Sequence, residues 1–308
     1  MSDAVSFAKA APLPHLFCFG YGYSAAALSR LLRGEGWTIS GTCRTPEKRR
    51  ALCAEGIQAF LFDRGRPLND AVATLAEVTH LLVSVPPDAD GDPVLDQHAD
   101  SIASAPSLRW IGYLSTTGVY GDTGGALVDE KAPLRPTVER SVRRAGAERA
   151  WLALFAEQGL PVHVFRLAGI YGPGRNTLDQ VRRGEARRIE RPGHAFSRIH
   201  VDDIAGVLRA SIVRPRPGAV YNVCDDEAAA PAEVTALACR LLQVPVPPAI
   251  SFDDALPSMS AMARSFWQDN RRVDNTRIKR ELGVRLRYPT YREGLAALAG
   301  GSETSDAG

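Results

Sequence analysis

The chain has 308 residues, with 37 Lys and Arg against 35 Asp and Glu, a formal net charge of +2, and average hydrophobic (45%) and charged (23%) fractions. So even a balance, without a basic block or stripe, argues against nucleic acid as the main partner and leaves small molecules as the better match. The length fits one large domain, or a large one with a smaller satellite.

In chain order, residues 1–14 are small, polar or Pro-containing and read as a flexible tail, as do residues 301–308. Short apolar runs then alternate with amphipathic segments: His15–Phe19 and Ser24–Arg33, Thr38–Cys43 and Pro46–Ala54, Gln58–Phe62 and Leu68–Leu75. The same rhythm continues through His80–Val85, Val94–Ser104 and Leu108–Leu114. Strand followed by helix is the parallel βαβ pattern, and each run has the continuous apolarity of a strand covered on both faces. Arg140–Glu157 has the length and spacing of a helix, Val162–Leu167 reads as a buried strand, and Val220–Val223 as a seventh. Turn clusters at 171–175, 191–194 and 245–248 break the second half into short pieces. The expected class is α/β, a doubly wound parallel sheet followed by a smaller mixed cap.

Five Cys (18, 43, 53, 224 and 239) form no CxxC and read as reduced thiols of a cytoplasmic protein, with no metal site suggested. The opening MSDAVSFAKAAPLP has no basic n-region, and nowhere do about 18 apolar residues run uninterrupted, so no membrane span is expected.

Gly20-Tyr21-Gly22-Tyr23-Ser24-Ala25 lies between the first strand and the first helix and matches G-x-G-x-x-G/A. The first Gly permits a tight turn, the second lets a pyrophosphate approach the backbone, and a small third residue lets helix and strand pack closely. The helix N-terminus offers free N–H groups to that pyrophosphate. A site selective for NAD places Asp or Glu after the second strand, whereas this chain has Arg44 and Thr45 there and no carboxylate until Glu47. Arg44 suits a 2′-phosphate, which favours NADP(H), with NAD the alternative; a plain solvated arginine is the other reading. Asp63, after the third strand, is placed to accept from an adenine amino group, and Val85 and Pro86 to line the cofactor near the nicotinamide ribose. Pro86 and Pro87 read equally as turn punctuation.

The chain resembles the extended, epimerase/dehydratase-like branch of the short-chain dehydrogenase/reductase superfamily. The resemblance rests on the glycine motif, on Leu114-Ser115-Thr116-Thr117-Gly118-Val119-Tyr120-Gly121 and on Arg166-Leu167-Ala168-Gly169-Ile170-Tyr171-Gly172-Pro173-Gly174. Further blocks are Arg198-Ile199-His200-Val201-Asp202-Asp203-Ile204, Tyr221-Asn222-Val223-Cys224-Asp225-Asp226 and residues 285–294, so the match spans about 15–295. It implies a Rossmann dinucleotide-binding domain over 15–176 plus 199–224 and a substrate-binding cap over 177–198 plus 225–300. It also implies hydride exchange between a nicotinamide and a carbinol carbon, assisted by a Ser/Thr, a Tyr acid/base and a Lys in Y-x-x-x-K. Thr116 corresponds to the hydroxyl that orients the substrate oxygen.

The Tyr and Lys do not carry over. Matching Glu148 to the family's Glu puts Arg140 at the Tyr position and Arg144 at the Lys position, where it can still donate to a ribose hydroxyl. Arginine stays protonated, so Arg140 moves no proton. Only four Lys stand among the basic residues, at 9, 48, 131 and 279, and none follows a Tyr by four. Tyr120 and Tyr171 are the replacements to weigh, against the plainer reading of packed tyrosines. In the cap, Arg175, Arg188 and Arg198 are the preferred contacts to a small anionic or sugar-derived substrate. His200 and Asp202 read as braces between cofactor domain and cap, and Trp267 as either a substrate flank or core. Two functions therefore stand: an NADP-dependent oxidoreductase or epimerase with an altered relay, and a non-catalytic NADP(H)-sensing module. Either fits a monomer or homodimer.

Overall fold

The computed structural model describes residues 13–301, so residues 1–12 and 302–308 of the two expected tails lie outside it. Strand β1 (His15–Phe19) leads into α1 (Tyr23–Arg33), followed by β2 (Thr38–Cys43), α2 (Pro46–Ala54), β3 (Gln58–Leu61) and α3 (Ala71–Leu75). Next come β4 (His80–Val83), α4 (Pro93–Ala103) and β5 (Trp110–Thr116), then a 3-10 turn over Thr117–Tyr120. After β6 (Leu127–Val128) the long α5 (Glu139–Gln158) returns the chain to β7 (Val162–Leu167). Beyond it lie β8 (Gly169–Tyr171), α6 (Thr177–Arg182), β9 (Arg188–Glu190), β10 (Arg198–His200), α7 (Val201–Val213) and β11 (Val220–Val223). The chain ends through α8 (Pro231–Leu241), β12 (Ala249–Ser251), α9 (Phe252–Ala255), α10 (Ala261–Trp267), β13 (Arg272–Val273), α11 (Thr276–Leu282) and α12 (Tyr291–Gly300).

Seven strands form one parallel sheet in the order β11-β7-β5-β4-β1-β2-β3. The sequence of strands reverses direction of growth between β1 and β4, so the loops at their carboxyl ends part and leave a crevice there. Alternate side chains explain the unbroken apolar runs: Leu16 and Cys18 of β1 pack with Leu28 of α1 and Leu208 of α7 on one face. Phe17 and Phe19 pack with Val94 of α4 and Trp151 of α5 on the other. Helix α3 starts at Ala71 rather than Leu68 because the Asp70 carboxylate accepts from the Ala73 N–H at 2.9 Å and caps it.

The remaining strands are two- or three-residue parallel pairs joining distant parts of the chain: β8 with β10, β9 with β12, and β6 with β13.

A buried polar network links the main sheet to α5. The Arg166 guanidinium of β7 donates to Glu148 of α5 at 2.9 Å, with both side chains at most 5% exposed. Ser115 of β5 donates to the same carboxylate. Arg166 also donates to the Tyr120 hydroxyl at 2.9 Å, which donates to Asn222 of β11 at 2.7 Å. Removing one partner strands a buried charge. Glu148→Gln and Arg166→Met are each expected to cost about 3–5 kcal/mol in urea unfolding, and the double variant less than their sum. Single variants within about 0.5 kcal/mol of the parent, the usual range of a surface change, would contradict this.

Candidate functional site

The loops after β1, β2, β3 and β4 surround a cleft of about 600 Å³ lined by Gly20, Gly22, Thr42 to Thr45, Lys48, Asp63, Arg64 and Ser84 to Asp88. Its floor is the glycine turn, tied to β2 by Gly20 N–H to Thr42 Oγ1 (2.8 Å) and Tyr21 N–H to the Thr42 carbonyl (2.7 Å). The protein itself demands glycine at position 20: φ is +84°, and a Cβ would come 2.9 Å from Ser84 Oγ. At Gly22 nothing of the kind holds, since φ is −103° and a Cβ would meet no atom within 4 Å. Gly22 lines the cleft, so the open space above it is part of the cleft itself. Helix α1 starts there with no side-chain cap and no acidic residue in its first turn, so its N–H groups and partial positive charge face the same space. These features fit a dinucleotide pyrophosphate.

Of the predicted cofactor residues, Gly20, Gly22, Arg44, Thr45, Asp63, Val85 and Pro86 come together in this cleft. Ser24 and Ala25 present only their backbone; both side chains are buried. The Tyr23 side chain turns away, its hydroxyl donating to the Pro173 carbonyl at 2.9 Å with Arg175 stacked 6.0 Å from its ring. Lys48 was missing from the sequence expectation, although Thr45 caps α2 and so puts Lys48 on its first turn, facing the cleft with Arg44. The carboxylates that line the cleft are already paired: Asp63 with Arg66 at 2.7 Å, and Asp88 with Arg64 at 2.6 Å. Asp63 thus holds its own loop, also accepting from Gly65 N–H at 3.0 Å.

A second cleft of about 500 Å³ opens beyond β5, between α5, the β8–β10 pair and the cap helix α10. Thr116 lines it, its hydroxyl accepting from Gly118 N–H at 3.1 Å. Arg144 donates to the Leu114 carbonyl at 2.8 Å, and Arg140 lies 4.4 Å above the Phe266 ring. Arg175 and Arg198 line the opposite wall and also an adjoining cavity of about 410 Å³. Arg198 is anchored by the carbonyls of Phe196 (2.8 Å) and Ala229 (3.0 Å). Arg271 and Asp269, paired at 2.9 Å, complete the lining; neither was anticipated, because the two-residue β6–β13 pair that places them leaves no periodicity in the sequence.

Several expectations need correction. Arg188 of β9 is paired with Glu190 at 2.7 Å and lines neither the cleft nor the adjoining cavity, so it is not brought to the anion contacts. Tyr120 is buried in the Arg166 network, with its hydroxyl pushed up to about 12 by burial, and does not reach the cleft. Tyr171 does line it, yet burial, Asp225 and Asp203 push its hydroxyl well above the ordinary range. Trp267 is core, packed against His194, Phe196 and Phe252. His200 sits between Tyr171 and Tyr288, and Asp203 accepts from the Arg287 and Tyr288 N–H groups at 2.6 and 3.1 Å, which ties α7 to the segment before α12. No helix among the described residues is long and apolar enough to cross a membrane, and no cluster of metal-binding side chains occurs among them.

No family model matches the chain. Protein YeeZ of Escherichia coli strain K12 is 28% identical over 280 residues, covering 88% of this chain and 94% of that protein. A functionally unknown conserved protein from Silicibacter pomeroyi DSS, of known structure, is 53% identical and superposes with a TM-score of 0.85 over 94% of this chain and all (100%) of that one. The dTDP-glucose 4,6-dehydratase of Bacillus anthracis str. Ames, solved in complex with NAD, shares the fold at 18% identity, with a TM-score of 0.74 over 96% of this chain and 97% of its own.

Behind Arg198, Asp225 is buried with no donor at normal hydrogen-bond geometry to either carboxylate oxygen. Burial pushes its carboxyl up to about 8, and the nearby Arg198 guanidinium pulls the other way too weakly to offset this. The folded state therefore holds this proton more tightly than the unfolded chain does. Stability is full below the ordinary carboxylate range and falls as pH rises towards about 8. Asp225→Asn should remove that loss and exceed the parent by about 1–3 kcal/mol near pH 9, the scale of one unpartnered buried polar group. Parallel pH profiles for parent and variant would contradict it.

Proposed function

We infer that this chain, which belongs to the family of the Silicibacter pomeroyi protein and has the fold of the extended short-chain dehydrogenases/reductases, is an NADP(H)-dependent oxidoreductase or epimerase acting on a small anionic or sugar-derived substrate. The carrying observation is the empty space over Gly22 at the uncapped start of α1. When bound, a nicotinamide dinucleotide supplies a hydride donor or acceptor. The chain's own residues do the rest. The glycine turn and the first N–H groups of α1 bind the pyrophosphate, and Arg44 with Lys48 receives a 2′-phosphate at the end of β2. The B. anthracis dehydratase carries NAD; the two cations here, and the absence of a cleft-lining carboxylate between Thr42 and Lys48, favour the phosphorylated cofactor. Thr116 orients a substrate oxygen in the second cleft, and Arg175 and Arg198 hold the substrate's anionic group.

One observation favours a second reading, a non-catalytic NADP(H)-sensing module. Apart from arginines, the titratable side chains lining the second cleft are Tyr171, pushed up out of range, and Asp269, committed to Arg271. Oxidation of bound NADPH in single-turnover absorbance with a panel of carbonyl and sugar-nucleotide compounds supports the enzyme; tight NADPH binding with no oxidation by any compound favours the sensor.

Cofactor choice is tested by calorimetric titration of NADPH and NADH. Loss of a charge-assisted contact worth about 1.5–3 kcal/mol should weaken NADPH for Arg44→Ala by about 10- to 100-fold and leave NADH unchanged. Equal affinities for the two cofactors in the parent protein would overturn the preference.

A further inference from the structure

The second cleft holds five guanidinium groups, from Arg140, Arg144, Arg175, Arg198 and Arg271, and a single carboxylate, Asp269. That carboxylate is the partner of Arg271 and also accepts from Thr137, so it neutralises one of the five at most. Among the described residues, no carboxylate lies within ion-pair distance of Arg140, Arg144, Arg175 or Arg198. Arg50, Arg143, Arg183 and Arg188 each have an acidic neighbour, and although other arginines such as Arg49 and Arg187 also lack one, Arg140, Arg144, Arg175 and Arg198 are gathered around a single cavity. Four like charges around one cavity repel one another, and an anion between them reverses the sign of that interaction.

Arg175 and Arg198 are accounted for by the substrate anion already inferred. Arg140 and Arg144 are not. They stand four residues apart on α5 and so share a helix face, beside Thr116. Arg144 is fixed by its bond to the Leu114 carbonyl through one nitrogen, and a guanidinium has five N–H donors, so most of its fork remains to be used. Arg140 is supported on one face by the Phe266 ring and donates from one nitrogen to the Met262 thioether, a weak acceptor, which leaves most of its N–H donors for a ligand. Neither group exchanges a proton near neutral pH, whereas both match the oxygens of a carboxylate or phosphate.

We propose that Arg140 and Arg144 form a second oxyanion subsite at the Thr116 end of the cleft, so that the substrate carries a carboxylate or phosphate there in addition to the anionic group facing Arg175 and Arg198. The proposal rests on the reading of this cleft as the substrate site of a dinucleotide-binding protein. On this account the helix face that would carry a proton relay is given over to charge recognition, and the substrate is at least a dianion.

The test is calorimetric titration of the NADPH-saturated full chain with malonate and, separately, inorganic phosphate, with malonamide as the neutral control. The parent should bind one more anion per chain than Arg140→Gln, and Arg188→Gln should match the parent. The tighter of malonate and phosphate identifies the group that the subsite takes. Arg144→Gln should lose the same anion, but it also gives up a bond to β5; Arg140 is exposed, so its variant is the decisive one. An unchanged anion count in Arg140→Gln, or malonamide binding as tightly as malonate, would overturn the proposal. Failure of every variant and the parent to bind NADPH would instead refute the cofactor reading, while the difference in anion count still decides the subsite.

Discussion

Glu148 and Arg166 meet where water scarcely reaches either of them, and the Thr116 side of the second cleft is held in place by that contact. The pair draws together α5 and β7, Ser115 brings in β5, and Tyr120 with Asn222 brings in the turn after β5 and the outermost strand β11. Glu148 lies four and eight residues beyond Arg144 and Arg140, so the three share one face of α5. Pinning Glu148 to the sheet therefore sets the rotation of the helix and points both arginines over the end of β5, where Thr116 waits. Apolar replacements of similar shape can match a buried ion pair in stability. They would not fix the rotation of α5 in the same way.

The two clefts are built from different materials. The first is made of backbone: a glycine turn stitched to β2, an uncapped helix start, and space above Gly22 that no neighbour requires. Such a site recognises phosphate by geometry and needs few charges beyond Arg44 and Lys48. The second is made of side-chain charge on scaffolds that hold guanidinium groups without neutralising them, through the carbonyls of Leu114, Phe196 and Ala229. Carbonyl anchoring orients an arginine while preserving its charge for a ligand, whereas a carboxylate partner would consume it. Arg188, paired with Glu190, illustrates the second case. The fold thus sets a cleft whose backbone fits a dinucleotide next to a cleft lined by guanidinium groups.

Much of the parallel sheet was legible from sequence because strands covered on both faces read as short, mainly apolar or small-residue runs between amphipathic segments. The runs His15–Phe19, Thr38–Cys43 and Val162–Leu167 coincide with β1, β2 and β7. The glycine motif was legible for the same local reason, since its turn, open space and helix start are consecutive residues. The cap was not. Its strands are two or three residues long and pair across wide gaps, 127–128 with 272–273 and 188–190 with 249–251, too short to show a period of two. Arg271 and Asp269 therefore gave no signal, and Arg188 was preferred over them because composition alone does not reveal that Glu190 is its partner. Tyr120 was ambiguous for a related reason: a tyrosine after a strand end looks the same in sequence whether it faces a cleft or, as here, closes a buried network.

The central claim, that one face of this fold is preorganised for a phosphorylated dinucleotide beside an anion-binding cleft, is tested most directly by a crystal structure of the NADPH complex. The account predicts the pyrophosphate over Gly22 at the start of α1, the 2′-phosphate between Arg44 and Lys48, and the nicotinamide end directed towards Thr116 and Arg144. A dinucleotide bound elsewhere, or one whose 2′-phosphate contacts neither Arg44 nor Lys48, would contradict it.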